Sequence, residues 1–379
     1  MYFPITQEQE MIRMMVAQFT RSEVAPGAAK RDQDAEFPRN LVDKMGALGL
    51  LGMMVSPKYG GSDVGAVAYV LAVMEVARGC ASTAVTMSVT NLACEPIAQF
   101  GNEEQKERLL TPLASGKVLG AFALTEPEAG SNLAEINCRA RRKGSRYILD
   151  GTKMFITNGG YAGAFIVLAR TGDVGGRGLS VFAVEKGAPG LSAGPPINKM
   201  GLRASNTVEI IFEDCEVPEE CRIGKEGDGI RIITQALDSG RIGIAAQATG
   251  MIKACLDEAC DYANNRRQFN KPLAAHQAIQ WMIAEIATTL EASKLLTLSA
   301  AALKQQNKPF TKEASMAKLF ASEALNRAAY KALQIHGGYG YTKEFPIERI
   351  YRDARVTTIY EGTTEIQKMV IARETLKER

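Results

Sequence analysis

The chain has 379 residues, 46% hydrophobic and 23% charged, with 45 basic against 42 acidic side chains and a formal net charge of +3. A chain of this length builds two or three domains around a sizeable core, and its balanced charge gives no footing for a nucleic-acid or membrane partner. No apolar run approaches the roughly 18 residues of a membrane span. Seven cysteines are scattered without a C-x-x-C, and the histidines are two, His276 and His336, so a disulfide framework or a metal centre is not expected. The N-terminal stretch MYFPITQEQEMIRMM has no continuous apolar core of a secretory signal; a cytoplasmic location is expected, or the mitochondrial matrix if a leader has been removed.

Residues 1–118 read as helical. Thr6, followed by Glu8, Gln9 and Glu10, suits a capped helix start with acids in the first turn, and its apolar positions are Met11, Met14, Met15 and Phe19; Pro26 ends it. A second helix runs from about Pro38 to Leu48, and PKYGGSDV at 57–64 is a glycine-rich loop. The mostly apolar stretch from Ala66 to Gln99 predicts two buried helices broken near Gly79, and Asn102 to Leu113 a further amphipathic helix. From 119 to 228 the pattern changes to short alternating runs at 137–142, 147–150, 153–157, 165–170, 179–185 and 208–213, divided by Gly, Asn and Asp clusters. That spacing predicts a central β-barrel or sandwich. From 229 to 379 helical periodicity returns over Ile230–Asn264, Ala274–Gln306, Thr311–His336 and Glu365–Glu378. The first three are long enough to pack side by side as a bundle. The order helical, β, helical argues against a nicotinamide-binding Rossmann protein, and no G-x-G-x-x-G follows a strand.

Five segments stand out: AFALTEPEAGSN (Ala121–Asn132), KMFITNGG (Lys153–Gly160), NRRQFNKPL (Asn265–Leu273), QIHGGYGY (Gln334–Tyr341) and RDARVTTIYEGTTEIQ (Arg352–Gln367). The first offers hydroxyls and backbone N–H groups without bulk, and Gly130 lets a ligand approach the backbone. The third offers a guanidinium, whose planar fork suits a diphosphate. Alone, each has a plainer meaning: turn residues, a basic turn, a helix-ending glycine pair, or an acid at a helix start. In this order, and spanning essentially the whole chain, they resemble the acyl-CoA dehydrogenases, most closely the short-chain, butyryl type.

The resemblance implies an N-terminal helical domain, a central β-barrel and a C-terminal four-helix bundle, with FAD as cofactor. It places Phe122, Leu124, Thr125, Gly130 and Ser131 on one side of the flavin and Phe155 and Thr157 on the other. Arg266, Gln268 and Phe269 would reach the FAD pyrophosphate of a neighbouring subunit, with Gln277, Gln334, Gly337, Gly338, Thr363 and Glu365 around the diphosphate and adenine. A shared site implies a homotetramer built as a dimer of dimers. Asn132 stands where the family usually has Asp, and Phe155 where Trp is frequent; a local hydrogen-bond change is expected, with stacking retained.

By the same resemblance, Glu361 removes the α-proton of an acyl-CoA thioester, flavin N5 takes the β-hydride, and electrons pass to an electron-transfer flavoprotein. Burial beside an apolar substrate should raise the carboxyl pKa. Some branches carry the base just before a shared arginine; here Gly240 precedes Arg241, which leaves Glu361. Ser131, Asp238, Arg241, Tyr360, Gly362 and Asn91 are expected near the substrate. Met87, Thr90, Asn91 and Cys94 should line the acyl pocket, although Asn91 also suits a satisfied core amide. That stretch holds no arginine to meet a glutaryl carboxylate. Short straight, branched and cyclic acyl groups stay open, as do an acyl-CoA oxidase, a flavin monooxygenase and a non-enzymatic helical scaffold.

Overall fold

A computed structural model describes residues 3–173 and 175–378. The chain begins with α1 (Gln7–Phe19), which a reciprocal capping box closes: Thr6 Oγ1 accepts the Gln9 N–H at 3.2 Å and Gln9 Oε1 accepts the Thr6 N–H at 2.9 Å. Its buried face is Gln9, Val16, Ala17 and Phe19, whereas Met11, Met14 and Met15 point outward. A π-helical turn at Thr20–Val24 carries the chain towards Pro26. There follow α2 (Ala28–Asp34), α3 (Arg39–Ala47), α4 (Gly65–Gly79), α5 (Ala81–Phe100), α6 (Glu103–Gln105) and α7 (Thr111–Ala114). Nearly every residue of α4 and α5 is buried, as their almost continuous apolar sequence demands.

Eight strands follow: β1 (Leu119–Ala123), β2 (Arg139–Lys143), β3 (Arg146–Thr157), β4 (Ala162–Arg170), β5 (Leu179–Glu185), β6 (Leu191–Ala193), β7 (Thr207–Pro218) and β8 (Arg222–Ile223). They form one sheet in the order β6-β7-β3-β2-β4-β5-β8, with β1 parallel to β4. The sheet curls around its own core of Tyr147, Phe165, Phe182, Phe212 and their neighbours, while its other face packs on α5 and the start of α8. The expected closed barrel does not form: among the described residues, β6 and β8 end the sheet without pairing to each other. The two expected runs 147–150 and 153–157 are one long strand, β3, because its partner β7 absorbs the irregularities by register shifts after Leu149 and after Lys153.

The second helical set is α8 (Gly229–Asn265), α9 (Gln277–Gln305), α10 (Thr311–His336), α11 (Ile347–Ala354) and α12 (Thr364–Lys377); the short strands β9 (Arg267–Gln268) and β10 (Lys271–Pro272) form a hairpin after α8. Phe269 and Asn270 both take positive φ at its tip, the geometry of a tight two-residue turn. The helices do not form a separate body. One core joins Val70, Val73 and Met74 of α4 to Ile242, Ala246 and Met251 of α8 and to Ala321, Leu325 and Ala328 of α10. Gly250 permits the α4–α8 approach: a Cβ there would meet the Met74 carbonyl at 2.1 Å.

Candidate active site

Glu361 sits in the short connection before α12, where Thr363 Oγ1 caps the helix by accepting the Ile366 N–H. Glu361 has φ 52° and Gly362 has φ 92°. A glutamate in the left-handed region is uncommon and costs energy that its surroundings must hold in place. Three side chains do so. Lys318 Nζ donates to the Gly362 carbonyl at 2.7 Å, Gln367 Nε2 donates to the carbonyls of Glu361 and Gly362 at 3.2 and 3.0 Å, and the Tyr360 hydroxyl donates to Gln247 Oε1 at 2.8 Å.

The turn aims the carboxylate at α8. A Cβ on Gly240 would lie 2.6 Å from Glu361 Oε2 and 3.4 Å from Leu92 Cδ2. Any side chain at 240 therefore competes with Glu361 for the same space. Glu361 as a whole is half-buried, yet its Oε2 is buried with no hydrogen-bond partner among the described residues. Burial pushes its carboxyl up to about 7, against the cations of Arg241 and, to a smaller extent, Lys318. Lys318 has no exposed surface, and burial pushes its amine down to about 8. Arg241 Nη1 donates to Asp238 Oδ1 at 2.5 Å, and Thr311 Oγ1 donates to Asp238 Oδ2 at 2.5 Å. The Asp238 carboxylate is thus spent on tying α8 to α10, and the Arg241 charge faces Glu361.

The expected flavin-side residues come together on β1, β3 and the loop between β1 and β2. The loop is pinned from beneath. Lys153 is fully buried, and its Nζ donates to the Leu124 carbonyl at 3.0 Å and to Glu126 Oε1 at 2.7 Å. Glu126 in turn accepts the N–H groups of Asn137 and Cys138 at 2.7 and 2.9 Å, and the Met154 N–H donates to the Thr125 carbonyl at 2.7 Å. This clamp leaves Gly130 and Ser131 exposed, and a Cβ placed on Gly130 would have nothing within 4 Å. Where β3 loses register with β7, Phe155 takes φ 59° and its ring stands 60% exposed, an open aromatic face of the kind a flat ring stacks on. Asn132 accepts the Ala134 N–H at 3.2 Å, a turn closed within its own loop. Asn158 Nδ2 links this region to the helices, donating to the Thr86 and Gly120 carbonyls at 3.2 and 3.1 Å.

Arg266, Gln268, Gln334, Gly337 and Gly338 share a separate open cleft of about 540 Å³. The Arg266 guanidinium lies 5.6 Å from the Tyr339 ring centre, and Gly337 and Gly338 again have nothing within 4 Å of an added Cβ. Phe269, 86% exposed, rests edge-on against the His276 ring near this cleft, and Gln277 opens α9 beside it with its side chain exposed. Along α10, this cleft at residue 336 is 18 residues from Lys318 beneath the Glu361 turn, about 27 Å of helix. The residues expected around one cofactor therefore lie in two patches.

Two groups of expected residues already carry bonds or positions of their own. Asn91 does not offer its amide to a pocket: Oδ1 accepts the Met53 N–H at 3.0 Å, and Nδ2 donates to the Leu50 and Met87 carbonyls at 2.9 and 3.0 Å. It is a satisfied core amide that fixes the loop before α4 to α5. Thr363 and Glu365 lie at the start of α12, where Thr363 is the cap and Glu365 stands exposed in the first turn; Thr363 Oγ1 is thereby engaged. Lys318 and Gln247 carry no motif that marks them in the sequence, whereas Lys153 and Gln367 lie inside two of the five segments without being singled out there. The one local signal for Lys318 is a lone lysine among the small residues of ASMAKLFAS.

Three family models match in chain order: "Acyl-CoA dehydrogenase, N-terminal domain" over residues 6–117, "middle domain" over 121–215 and "C-terminal domain" over 227–376. An acyl-CoA dehydrogenase of Bacillus subtilis is 49% identical over 371 residues, covering 97% of this chain and 98% of its own. A chain solved in work on the electron transferring flavoprotein of Acidaminococcus fermentans and flavin-based electron bifurcation superposes with a TM-score of 0.98 at 43% identity, over 100% of both chains. The butyryl-CoA dehydrogenase of Megasphaera elsdenii superposes with a TM-score of 0.97 at 42% identity, over 99% of this chain and 100% of its own.

Proposed function

Because this chain belongs to the acyl-CoA dehydrogenase family and is an FAD-dependent enzyme of that kind, we propose that Glu361 is the base that takes the α-proton of a short acyl-CoA thioester. The observation that carries this reading is the buried, unpartnered Glu361 Oε2 over the gap that Gly240 leaves. A carboxyl pushed to about 7 is a stronger base than an ordinary glutamate and is still half ionised near neutrality. Arg241 and Lys318 keep it from rising further, and the backbone clamp from Lys318 and Gln367 fixes its direction. The Glu361 N–H has no hydrogen bond to another described residue, so it is free to donate to the thioester oxygen as negative charge builds there. One such donor is worth roughly 2.7–4 kcal/mol in comparable sites.

The residues fit FAD. The loop held by Lys153 and Glu126, with its open Gly130 and the exposed Phe155 face, would take the ring. The Arg266 cleft would take the diphosphate and adenine of a neighbouring subunit's cofactor. When bound, FAD supplies the acceptor for the hydride that leaves the β carbon. The about 27 Å of α10 that separates the Glu361 turn from the Arg266 cleft supports a homotetramer in which subunits complete one another's sites. The likeness to the Acidaminococcus chain supports an electron-transfer flavoprotein as the electron acceptor.

Glu361→Gln tests the base. The variant should keep FAD and bind butyryl-CoA, while anaerobic bleaching of the flavin slows by about 10²–10⁴-fold or more. Bleaching at the wild-type rate removes Glu361 from the role.

A further inference from the structure

Arg170 closes β4 at the end of a run of seven buried residues and is itself buried. A guanidinium can stand in such a place only if its donors are met. Here backbone carbonyls meet them, with no carboxylate among the acceptors. Nε donates to Ile136 at 2.8 Å, Nη2 to Ala134 at 2.7 Å, and Nη1 to Asp173 at 2.7 Å and Gly175 at 3.2 Å. The Arg170 N–H donates to the Cys138 carbonyl at 2.7 Å. One planar group thereby joins two loops. Ala134 and Ile136 belong to the β1–β2 loop that carries Gly130 and Ser131. Asp173 and Gly175 belong to the β4–β5 turn, whose sequence TGDVGGRG has four glycines in eight residues and little stiffness of its own.

Arg170 and Glu126 grip the same stretch in complementary ways. Glu126 accepts the N–H groups of Asn137 and Cys138, and Arg170 takes the carbonyls of Ala134, Ile136 and Cys138. Ahead of that stretch, the Gly130 and Ser131 N–H groups have no hydrogen bond to another described residue, and both residues are exposed. Free donors on a fixed footing suit a ligand, because a loop that is already ordered loses little freedom on binding. Resting on the reading of this loop as the flavin's, we propose that Arg170 is the positioning residue that sets the β1–β2 loop for FAD. Its fork fixes the carbonyl side of residues 134–136 against the β4–β5 turn and so holds the Gly130 and Ser131 N–H groups out for the cofactor.

The experiment compares FAD release from the holoenzyme, followed by free-flavin fluorescence after dilution, in the wild type, Arg170→Lys and Arg170→Met. Methionine removes the charge and every donor. Lysine keeps the charge but has three donors and no planar fork, so it cannot span both loops. Each variant should release FAD at least about tenfold faster, the effect of one lost charge-assisted bond. Amide hydrogen exchange of the holoenzymes should quicken over residues 124–138 and 171–178 and stay at the wild-type rate in β3 and β7; the lysine variant carries this measurement where the methionine variant fails to fold. At saturating FAD the pH midpoint of bleaching should not move, because Glu361 sits on a separate element. Unchanged FAD release in folded variants, lysine release at the wild-type rate, or faster exchange spread evenly over the sheet overturns the positioning role. So does loss of folding in both variants, since Arg170 would then hold the sheet and not the loop. A wild type that purifies without FAD overturns the reading of the loop itself.

Discussion

Replacing Lys318 with methionine removes one of the two cations that face Glu361 while keeping an unbranched stem in the core of α10. The Gly362 carbonyl is not stranded, because Gln367 Nε2 still donates to it at 3.0 Å. The change is therefore mainly electrostatic. An opposite charge at close range lowers a carboxyl pKa by about 1–3 units. Arg241, the stronger of the two influences, remains, so the lower end applies and the Glu361 pKa should rise from about 7 by about one unit. One unit is about 1.4 kcal/mol, and at pH 7 the ionised fraction falls from about a half to about a tenth. Bleaching by butyryl-CoA should slow about fivefold at pH 7. Above about pH 8 the two enzymes should converge, because the wild-type Lys318 loses its own charge there. The assay is rapid-mixing anaerobic bleaching from pH 5.5 to 9, with FAD content as the control for folding. An unchanged midpoint, or a deficit that persists at pH 9, refutes the electrostatic role.

Lys153→Met should destabilise the sheet by roughly 3–5 kcal/mol, the usual cost of stripping one partner from a buried ion pair, and should lower the FAD content of the purified protein. Urea unfolding and the flavin-to-protein absorbance ratio check both, and a variant with full FAD and wild-type stability would show that the clamp beneath the loop is dispensable. Asp353 is buried, accepts the Leu202 N–H at 2.5 Å, and has its carboxyl pushed up to about 7 by burial. The native state holds a proton that the unfolded chain releases near pH 4, so this stabilising contribution is complete below about pH 4 and is lost as pH rises through about 7. Asp353→Asn should accordingly flatten the fall in stability across pH 4–7 in urea midpoints; a slope identical to that of the wild type refutes the assignment.

Much of this is legible in the sequence because the local signals agree with the global fold. The cap at Thr6, the break near Gly79 and the long helices of the second set follow from periodicity and turn chemistry. The misses have physical reasons. The strand β1 is five residues, four of them buried, and a short apolar run does not declare its period. The outward methionines of α1 look like an inner face in the sequence because hydrophobicity alone does not say which side a neighbour covers. Sheet closure depends on long-range pairing of β6 and β8, which no local pattern encodes. At the site, Glu361 is legible from its motif and from Gly240 in the competing position. Lys318 and Gln247 are not, since each lies tens of residues or more from Glu361 in sequence and meets its turn only after packing.

The helix α8 is 37 residues long and sets Gly240 against the Glu361 carboxylate and Gly243 against the Tyr69 hydroxyl, three residues apart. It therefore works as a ruler with a fixed phase. A single-residue insertion between Gly240 and Gly243 would rotate everything beyond it by about 100°, swinging Gly243 away from the Tyr69 hydroxyl it packs against. Substitutions on α4 and α5, by contrast, leave that phase intact and keep Gly240 in register with the Glu361 carboxylate.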